Sequence, residues 1–155
     1  MAVIEIGGRD RIACVTCEFV HWDNPLPVTA TLVPMNGGLV LVKRKFEPYI
    51  GDWCLPGGFM EAHEEPADSA AREVLEETGL TVAGLKLVEA RAPGRNINVV
   101  ILFYTAESAS GEMIPGDDAS EVEAFTEESL PHNIAFEHHR RIIDLWFKNG
   151  GKLSS

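Results

Sequence analysis

Residues 58–80 read GFMEAHEEPADSAAREVLEETGL. Glu64, Glu65, Glu73, Glu76 and Glu77 fall in this stretch beside Arg72. Like charges three or four residues apart on one helix repel. Crowding carboxylates in this way is unfavourable unless a cation offsets it, and hard divalent cations such as magnesium prefer oxygen ligands. The local pattern puts the last three glutamates on a helix. Pro56-Gly57-Gly58 marks a loop, Pro66 suits a first helical turn because its missing N–H costs nothing there, and Gly79 suits a helix stop. Between them Ala67, Ala70, Ala71, Val74 and Thr78 recur at helical spacing and predict a small buried stripe. At about 3.6 residues per turn, Glu73, Glu76 and Glu77 lie within an arc of roughly 100° beside that stripe. The helix packs by one face and offers three carboxylates on the next, a pattern suited to a metal ion.

Gly58, five residues, Glu64, seven residues, then Arg72-Glu73-Val74-Leu75-Glu76-Glu77-Thr78-Gly79-Leu80 matches every fixed position of the Nudix box. The chain therefore resembles the Nudix hydrolases, which cleave nucleoside diphosphates linked to another moiety. The resemblance implies an α/β/α sandwich, a mixed sheet with one helix on each face. It extends outside the box. Leu39-Val40-Leu41-Val42-Lys43-Arg44 and Gly51 to Gly58 are similar to the family's strand and the loop after it. Glu121 to Phe125, Leu130-Pro131 and Ile134-Ala135-Phe136 with His138 or His139 resemble the end of the dinucleotide-cleaving subgroup, which includes NADH, ADP-ribose and FAD pyrophosphatases.

The flanking sequence is consistent with that architecture. Val28 to Met35 is rich in β-branched residues and predicts a strand; Asn36-Gly37-Gly38 is a hairpin turn signal, and Leu39 to Lys43 the return strand. Thr81 to Ala92 and Ile97 to Ala106 predict two more strands around a turn at Pro93–Asn96. Ser108 to Ser120 reads as a flexible loop, Val122 to Phe125 as a short strand, and Ala135 to Lys148 as a second amphipathic helix. A mixed sheet with a helix on each face is the layer arrangement this order predicts. Residues 27–150 are assigned to the hydrolase domain and residues 1–26 to an N-terminal extension.

Composition bounds the function. At 155 residues the chain makes one domain, and 45% hydrophobic with 24% charged residues is ordinary for a soluble globular protein. Its apolar runs fall far short of the roughly 20 residues a membrane span needs, and no secretory leader pattern opens the chain. Both point to a cytoplasmic protein without a membrane partner. A net charge of −11 argues against a general nucleic-acid binder, but not against a nucleotide substrate, since a bound cation reverses the local sign of a site.

Three cysteines are too few for a disulfide framework. Cys14-x-x-Cys17 has metal-knuckle spacing, yet a closed structural zinc site needs four ligands. Residues 12–27 look like the second half of the two-knuckle zinc ribbon that a Nudix subgroup carries, with the first half missing, and His21 is a third ligand of the right type. The expectation is that no zinc binds here. Zinc shared across a homodimer is the alternative.

The chemistry follows from the substrate. A pyrophosphate is inert because its negative oxygens repel nucleophiles. A metal site neutralises them and lowers the pKa of a bound water. The expected ligands of Mg²⁺ or Mn²⁺ are Glu73, Glu76 and Glu77 with the Gly57 carbonyl, as in the family. The resemblance implies that Arg72 holds the glutamates by ion pairs and that Glu64 orients the loop and helix, a supporting shell of the kind that fixes ligand geometry. Glu121 aligns with the family's Glu-x-x-x-aromatic segment. It is assigned as general base or additional ligand, against the alternative of a surface residue, with Asp117, Asp118 and Glu123 as competitors. Arg44, Arg91 and Arg95 are the phosphate-binding candidates, because arginine suits bidentate contacts. Trp22, Trp53 and Phe46 are the aromatics able to stack a base, though core packing is the commoner fate. His138 and His139 are read as structural or dimer-facing.

These readings converge on hydrolysis of an ADP-ribose, NADH or FAD type of dinucleotide, releasing AMP and a phosphorylated product. The alternatives are a pyrophosphohydrolase of modified nucleoside triphosphates and a non-catalytic nucleotide sensor.

Overall fold

The computed structural model describes residues 1–94, 97–116 and 118–153. In chain order the elements are β1 (Ala2–Ile6), β2 (Arg9–Ala13), β3 (Val20–His21), β4 (Leu26–Leu32), β5 (Pro34–Met35), β6 (Gly38–Arg44), β7 (Trp53–Cys54), α1 (Pro66–Thr78), β8 (Thr81–Ala83), β9 (Lys86–Arg91), β10 (Val99–Thr105), β11 (Ser108–Ser110), β12 (Ala119–Phe125) and α2 (Glu137–Lys148). β4 pairs parallel with β10, which pairs antiparallel with β9. β6 lies between β5 and β12 and also carries β7.

β6 separates the two faces of the molecule. Successive side chains on a strand point to opposite sides, and the packing follows that alternation. Leu39 and Leu41 join Phe103, Phe125 and the α2 residues Ile142, Ile143 and Trp146 in one cluster. Val40 packs instead with Val74 of α1, Val33 and Leu80. α1 and α2 thus cover opposite faces, the α/β/α arrangement that the Nudix resemblance implied.

α1 ends as its sequence dictates. Pro66 occupies the first turn, and Gly79 takes the left-handed conformation (φ 74°) while its N–H reaches the Leu75 carbonyl. Ser69, Ala70, Val74 and Thr78 form the buried stripe. Asn36 and Gly37 both have positive φ (54° and 77°), as a tight two-residue hairpin between β5 and β6 requires.

The structure departs from the sequence reading in several elements. The strand expected over Val28 to Met35 is two, β4 and β5, which pair with β10 and β6 respectively. The strand expected over 81–92 is two strands, because Gly84 (φ 65°) breaks the run between β8 and β9. The segment expected as a loop from Ser108 begins as β11, which pairs with β8. β12 starts at Ala119, three residues before its expected start, with an irregularity between Ala119 and Glu121. Residues 2–21, for which no strands were expected, form a separate antiparallel sheet in the order β1-β2-β3. Among the described residues no helix is long and apolar enough to cross a membrane.

Candidate active site

The loop ahead of α1 is tied to β4 by backbone bonds. Thr31 N–H donates to the Pro56 carbonyl at 2.9 Å and Thr29 N–H to the Gly58 carbonyl at 2.9 Å. The packing leaves no room for a side chain at positions 57 and 58. A Cβ at Gly57 would lie 2.0 Å from the Thr29 carbonyl oxygen, and one at Gly58 would lie 2.6 Å from a Glu73 carboxylate oxygen. The two glycines let the loop backbone approach both the sheet and the glutamates.

Arg72 organises the carboxylates. Its Nε donates to Glu64 Oε1 at 2.8 Å and its Nη2 to Glu64 Oε2 at 3.0 Å, a bidentate pair. Its Nη1 donates to Glu73 at 2.7 Å and to Glu76 at 3.0 Å. Nη2 also reaches the Phe59 carbonyl at 3.2 Å, so the same guanidinium fastens the loop. Glu64 accepts the Glu61 N–H at 3.0 Å. The Arg72 bonds, then the Glu61 N–H, lower the Glu64 pKa to about 2.

Glu77 lies deeper. Its Oε2 accepts the Gly57 N–H at 2.9 Å. Burial raises its pKa to about 8, and the nearby Glu73 and Asp118 charges add to that rise against the opposing effects of the Gly57 N–H and Arg44. Burial also raises the Glu73 pKa, with Arg72 opposing.

Asp118 arrives by a different route. Gly116 N–H bonds to the Glu77 carbonyl at 3.1 Å and Ile114 N–H to the Thr78 carbonyl at 2.9 Å, so residues 114–116 dock on the end of α1. Asp118 then lines a cavity of about 600 Å³ with Glu73, Glu76, Glu77 and Gly116. An adjoining pocket of about 240 Å³ is walled by Glu77, Asp118, Gly57, Cys54, Val42, Arg44, Phe46 and Glu47. Arg44 stacks 5.0 Å from the centre of the Phe136 ring and donates to the Pro48 carbonyl at 2.6 Å. An acidic cleft thus opens beside a pocket with an arginine on its wall.

This donor set fits a hard divalent cation. Every side chain lining the larger cavity is a carboxylate, and Glu77 has the raised pKa of a buried acid that a cation would neutralise. Arg72 now occupies one oxygen each of Glu73 and Glu76, and among the described residues no three His, Cys, Asp or Glu side chains converge on one point.

The NUDIX domain model matches residues 25–146. The chain belongs to the NUDIX family. Its members hydrolyse their substrates with the general help of a divalent metal. It is 34% identical over 131 residues to a Methanocaldococcus jannaschii protein named ADP-ribose pyrophosphatase, covering 82% of this chain and 77% of that one. It is 30% identical over 114 residues to a Bacillus subtilis protein named putative 8-oxo-dGTP diphosphatase, covering 74% and 73% of the two chains. A solved NUDIX hydrolase from Nitrosomonas europaea superposes with a TM-score of 0.80 at 29% identity, covering 94% of this chain and 84% of that one.

Within this NUDIX enzyme the expected site residues separate into two groups. Glu64, Arg72, Glu73, Glu76, Glu77 and Gly57 come together, and Arg44 lines the adjoining pocket. Glu121 and Arg91 do not join them. Glu121 pairs with Lys43 across β6 and β12, on the face shared with Leu41 and Phe125, and bonds Lys43 Nζ at 2.9 Å. Arg91 bonds Glu89, which also binds Arg141 of α2, on the α2 face. Arg95 and Asp117 lie outside the described residues. Trp53 is buried in the core and Trp22 packs beneath Arg11, so Phe46 is the one of the three named aromatics at the cleft.

Sequence reasoning underweighted Asp118, while the structural role expected of His139 is what the fold gives it. Asp118 was one competitor among several, and it lines the carboxylate cavity. His139 is buried on α2, where its Nδ1 accepts the Leu55 N–H at 3.2 Å and steadies the Leu55–Gly57 loop. Burial, with the Arg44 charge next, lowers its pKa to about 3, so it is a neutral structural acceptor.

Proposed function

We propose that this protein is a Mg²⁺- or Mn²⁺-dependent pyrophosphohydrolase of ADP-ribose-type substrates, which takes up water and releases AMP and a phosphorylated partner. The Arg72-centred carboxylate cluster, with Arg44 on the wall of the adjoining pocket that shares Glu77 and Asp118, carries this reading. The similarity to a protein named ADP-ribose pyrophosphatase favours that substrate over NADH and FAD.

Glu73, Glu76, Glu77 and the Gly57 carbonyl are the residues that would hold the metal. When bound, the metal neutralises phosphate oxygens and acidifies a water. Arg44 takes a phosphate of the substrate and orients the pyrophosphate against the carboxylates. Asp118, placed at the open edge of the cluster, accepts the proton of the attacking water. Arg72 and Glu64 hold the carboxylates in position. Phe46, exposed on the wall of the adjoining pocket, stacks on the substrate's planar group. Residues 27–150 are the hydrolytic unit and residues 1–26 an appended one, and the enzyme works in the cytoplasm.

A panel of ADP-ribose, NADH, FAD and 8-oxo-dGTP, assayed with Mg²⁺ or Mn²⁺ and with product identification, tests the reading. AMP and ribose 5-phosphate from ADP-ribose is the expected outcome. Preferred release of pyrophosphate from 8-oxo-dGTP would establish the triphosphate alternative, which the Bacillus subtilis relative keeps in view.

A further inference from the structure

Arg44 lines its pocket together with three acids, Glu47, Glu77 and Asp118. Among the described residues it nevertheless makes no ion pair. Arg72 shows the other outcome, for its guanidinium is bound by Glu64, Glu73 and Glu76. An arginine neutralised in that way has little attraction left for a substrate anion. Arg44 keeps its charge.

The groups that hold Arg44 are all neutral. Its Nε donates to the Pro48 carbonyl at 2.6 Å, and its Nη2 approaches the Phe46 carbonyl at 3.5 Å. The guanidinium carbon lies over the Phe136 ring, 5.0 Å from its centre. An aromatic face attracts a cation through its quadrupole and leaves the cation's net charge intact. A guanidinium carries five N–H groups. Among the described residues the two on Nη1 have no acceptor.

The cradle is fixed by its own neighbours. The two carbonyls belong to the loop between β6 and β7, which the Arg44 backbone closes. Arg44 N–H donates to the Asp52 carbonyl at 2.8 Å, and Gly51 N–H to the Arg44 carbonyl at 2.9 Å. In that loop Tyr49 takes a left-handed φ of 66°, uncommon for a residue with a side chain. Tyr49 meets the Phe136 ring edge-on, with centroids 5.3 Å apart. His139 lies against the same ring at 5.0 Å. Phe136 is half-buried and directly precedes α2, so that helix carries the ring to the pocket.

We propose that Phe136 is a positioning residue. Its ring, held by Tyr49 and His139, keeps the Arg44 guanidinium off the acids of the pocket wall and leaves Nη1 for the substrate's phosphates. Without the ring, Arg44 turns to those acids and its charge is lost to the substrate. This inference rests on the reading of Arg44 as the phosphate-binding arginine.

A double-mutant cycle tests it, because a residue that acts only through Arg44 has no effect once Arg44 is gone. kcat/KM is measured at saturating Mg²⁺ for ADP-ribose and for 8-oxo-dGTP, both of which present phosphates to Arg44. The temperature is one at which circular dichroism shows every variant folded. Arg44→Gln should lower kcat/KM by about 10- to 100-fold, the range for losing a charged hydrogen bond. Phe136→Leu should lower it about tenfold in the parent, the scale of a cation held over a ring. In the Arg44→Gln background the same change should have less than about a twofold effect. Phe136→Tyr, which keeps the ring, should stay within about twofold of the parent. Phe136→Met repeats the cycle if Phe136→Leu does not fold. An equal loss in both backgrounds, parental kcat/KM in Phe136→Leu, or a Phe136→Tyr enzyme as impaired as Phe136→Leu would each overturn the inference while leaving the role of Arg44 standing. Parental kcat/KM in Arg44→Gln would instead remove Arg44 from phosphate binding, and the inference with it.

Discussion

Gly58 and Glu73 show how single residues of the box depend on one another. Glu73 reaches the loop only because position 58 has no Cβ, which would lie 2.6 Å from its carboxylate. Arg72 then takes one oxygen of Glu73 and both of Glu64, a geometry that needs a planar fork. Arg72→Lys should therefore keep the charge and still weaken the apparent Mg²⁺ affinity by about 10- to 100-fold, the usual effect of losing a residue that orients metal ligands. A magnesium titration of activity reads this directly, and an unchanged midpoint would remove Arg72 from that role. Asp118 and Glu121 offer a paired comparison. Asp118→Asn should lower kcat by about 10²- to 10⁴-fold, the range for a general base. Glu121→Gln should leave kcat within about threefold, because it breaks only an exposed pair with Lys43. The reverse ranking would return the base to Glu121. The box residues were legible because their spacing is fixed within one loop and helix. The choice between Asp118 and Glu121 was not, because it depends on strand register. A one-residue shift moves a side chain to the other face, and β12 has its irregularity between Ala119 and Glu121.

Elements were legible where one local signal sufficed. Pro66 and Gly79 bracket α1, and Asn36-Gly37 turns the hairpin, because each acts through its own backbone conformation. Boundaries set by distant partners were not legible. β11 is a strand because β8 lies beside it, and its polar sequence carries no alternation to announce this. The separate β1–β3 sheet was hidden for the same reason, since its apolar residues are not ordered toward a common core. The stretch 114–116 belongs with these, and it leads to Asp118 at the site. Its fit depends on Gly116, where a Cβ would lie 1.8 Å from the Glu76 backbone carbonyl oxygen. Neither backbone can yield without undocking this stretch from α1. Gly116→Ala should thus cost activity beyond its cost in stability. At a temperature where the variant is fully folded by circular dichroism, kcat/KM should still be at least about tenfold below the parent, the scale of a misplaced catalytic group. A folded Gly116→Ala enzyme with parental kcat/KM would show that this stretch does not position Asp118.

The whole molecule couples the carboxylate cleft to α2 through buried groups that titrate in opposite senses, and this fixes the pH dependence of stability. His139 has its pKa lowered from 6.5 to about 3. Between those values the unfolded chain binds the proton that the native one refuses, so stability rises with pH. Glu77 has its pKa raised from 4.5 to about 8, and Glu73 is raised as well. Through that window the native protein holds the extra proton, so stability falls with pH. Glu64, lowered from 4.5 to about 2, contributes only at the acid end, where its stabilisation is lost as pH drops. In the metal-free protein His139 and Glu77 oppose each other between 4.5 and 6.5, each with a slope of at most about 1.4 kcal/mol per pH unit. Stability should be near level there, tilted downward by Glu73, and decline above 6.5 once His139 no longer contributes. The decline should be steepest up to pH 7, above which the Cys14 thiol, lowered to about 7, opposes Glu77. His139→Gln, which keeps an acceptor for the Leu55 N–H, should expose the Glu77 slope and start the decline near 4.5. Glu77→Gln should remove its share of the alkaline decline and let stability rise up to 6.5. Saturating Mg²⁺ should also remove the decline in the parent, because a bound cation favours the ionised carboxylates and its affinity grows as they lose protons. Thermal melts of the three proteins across this pH range, with and without Mg²⁺, decide the matter. A metal-free parent whose Tm does not fall between pH 6.5 and 7, or whose fall Mg²⁺ leaves untouched, would show that Glu77 is not the buried acid that a divalent cation neutralises.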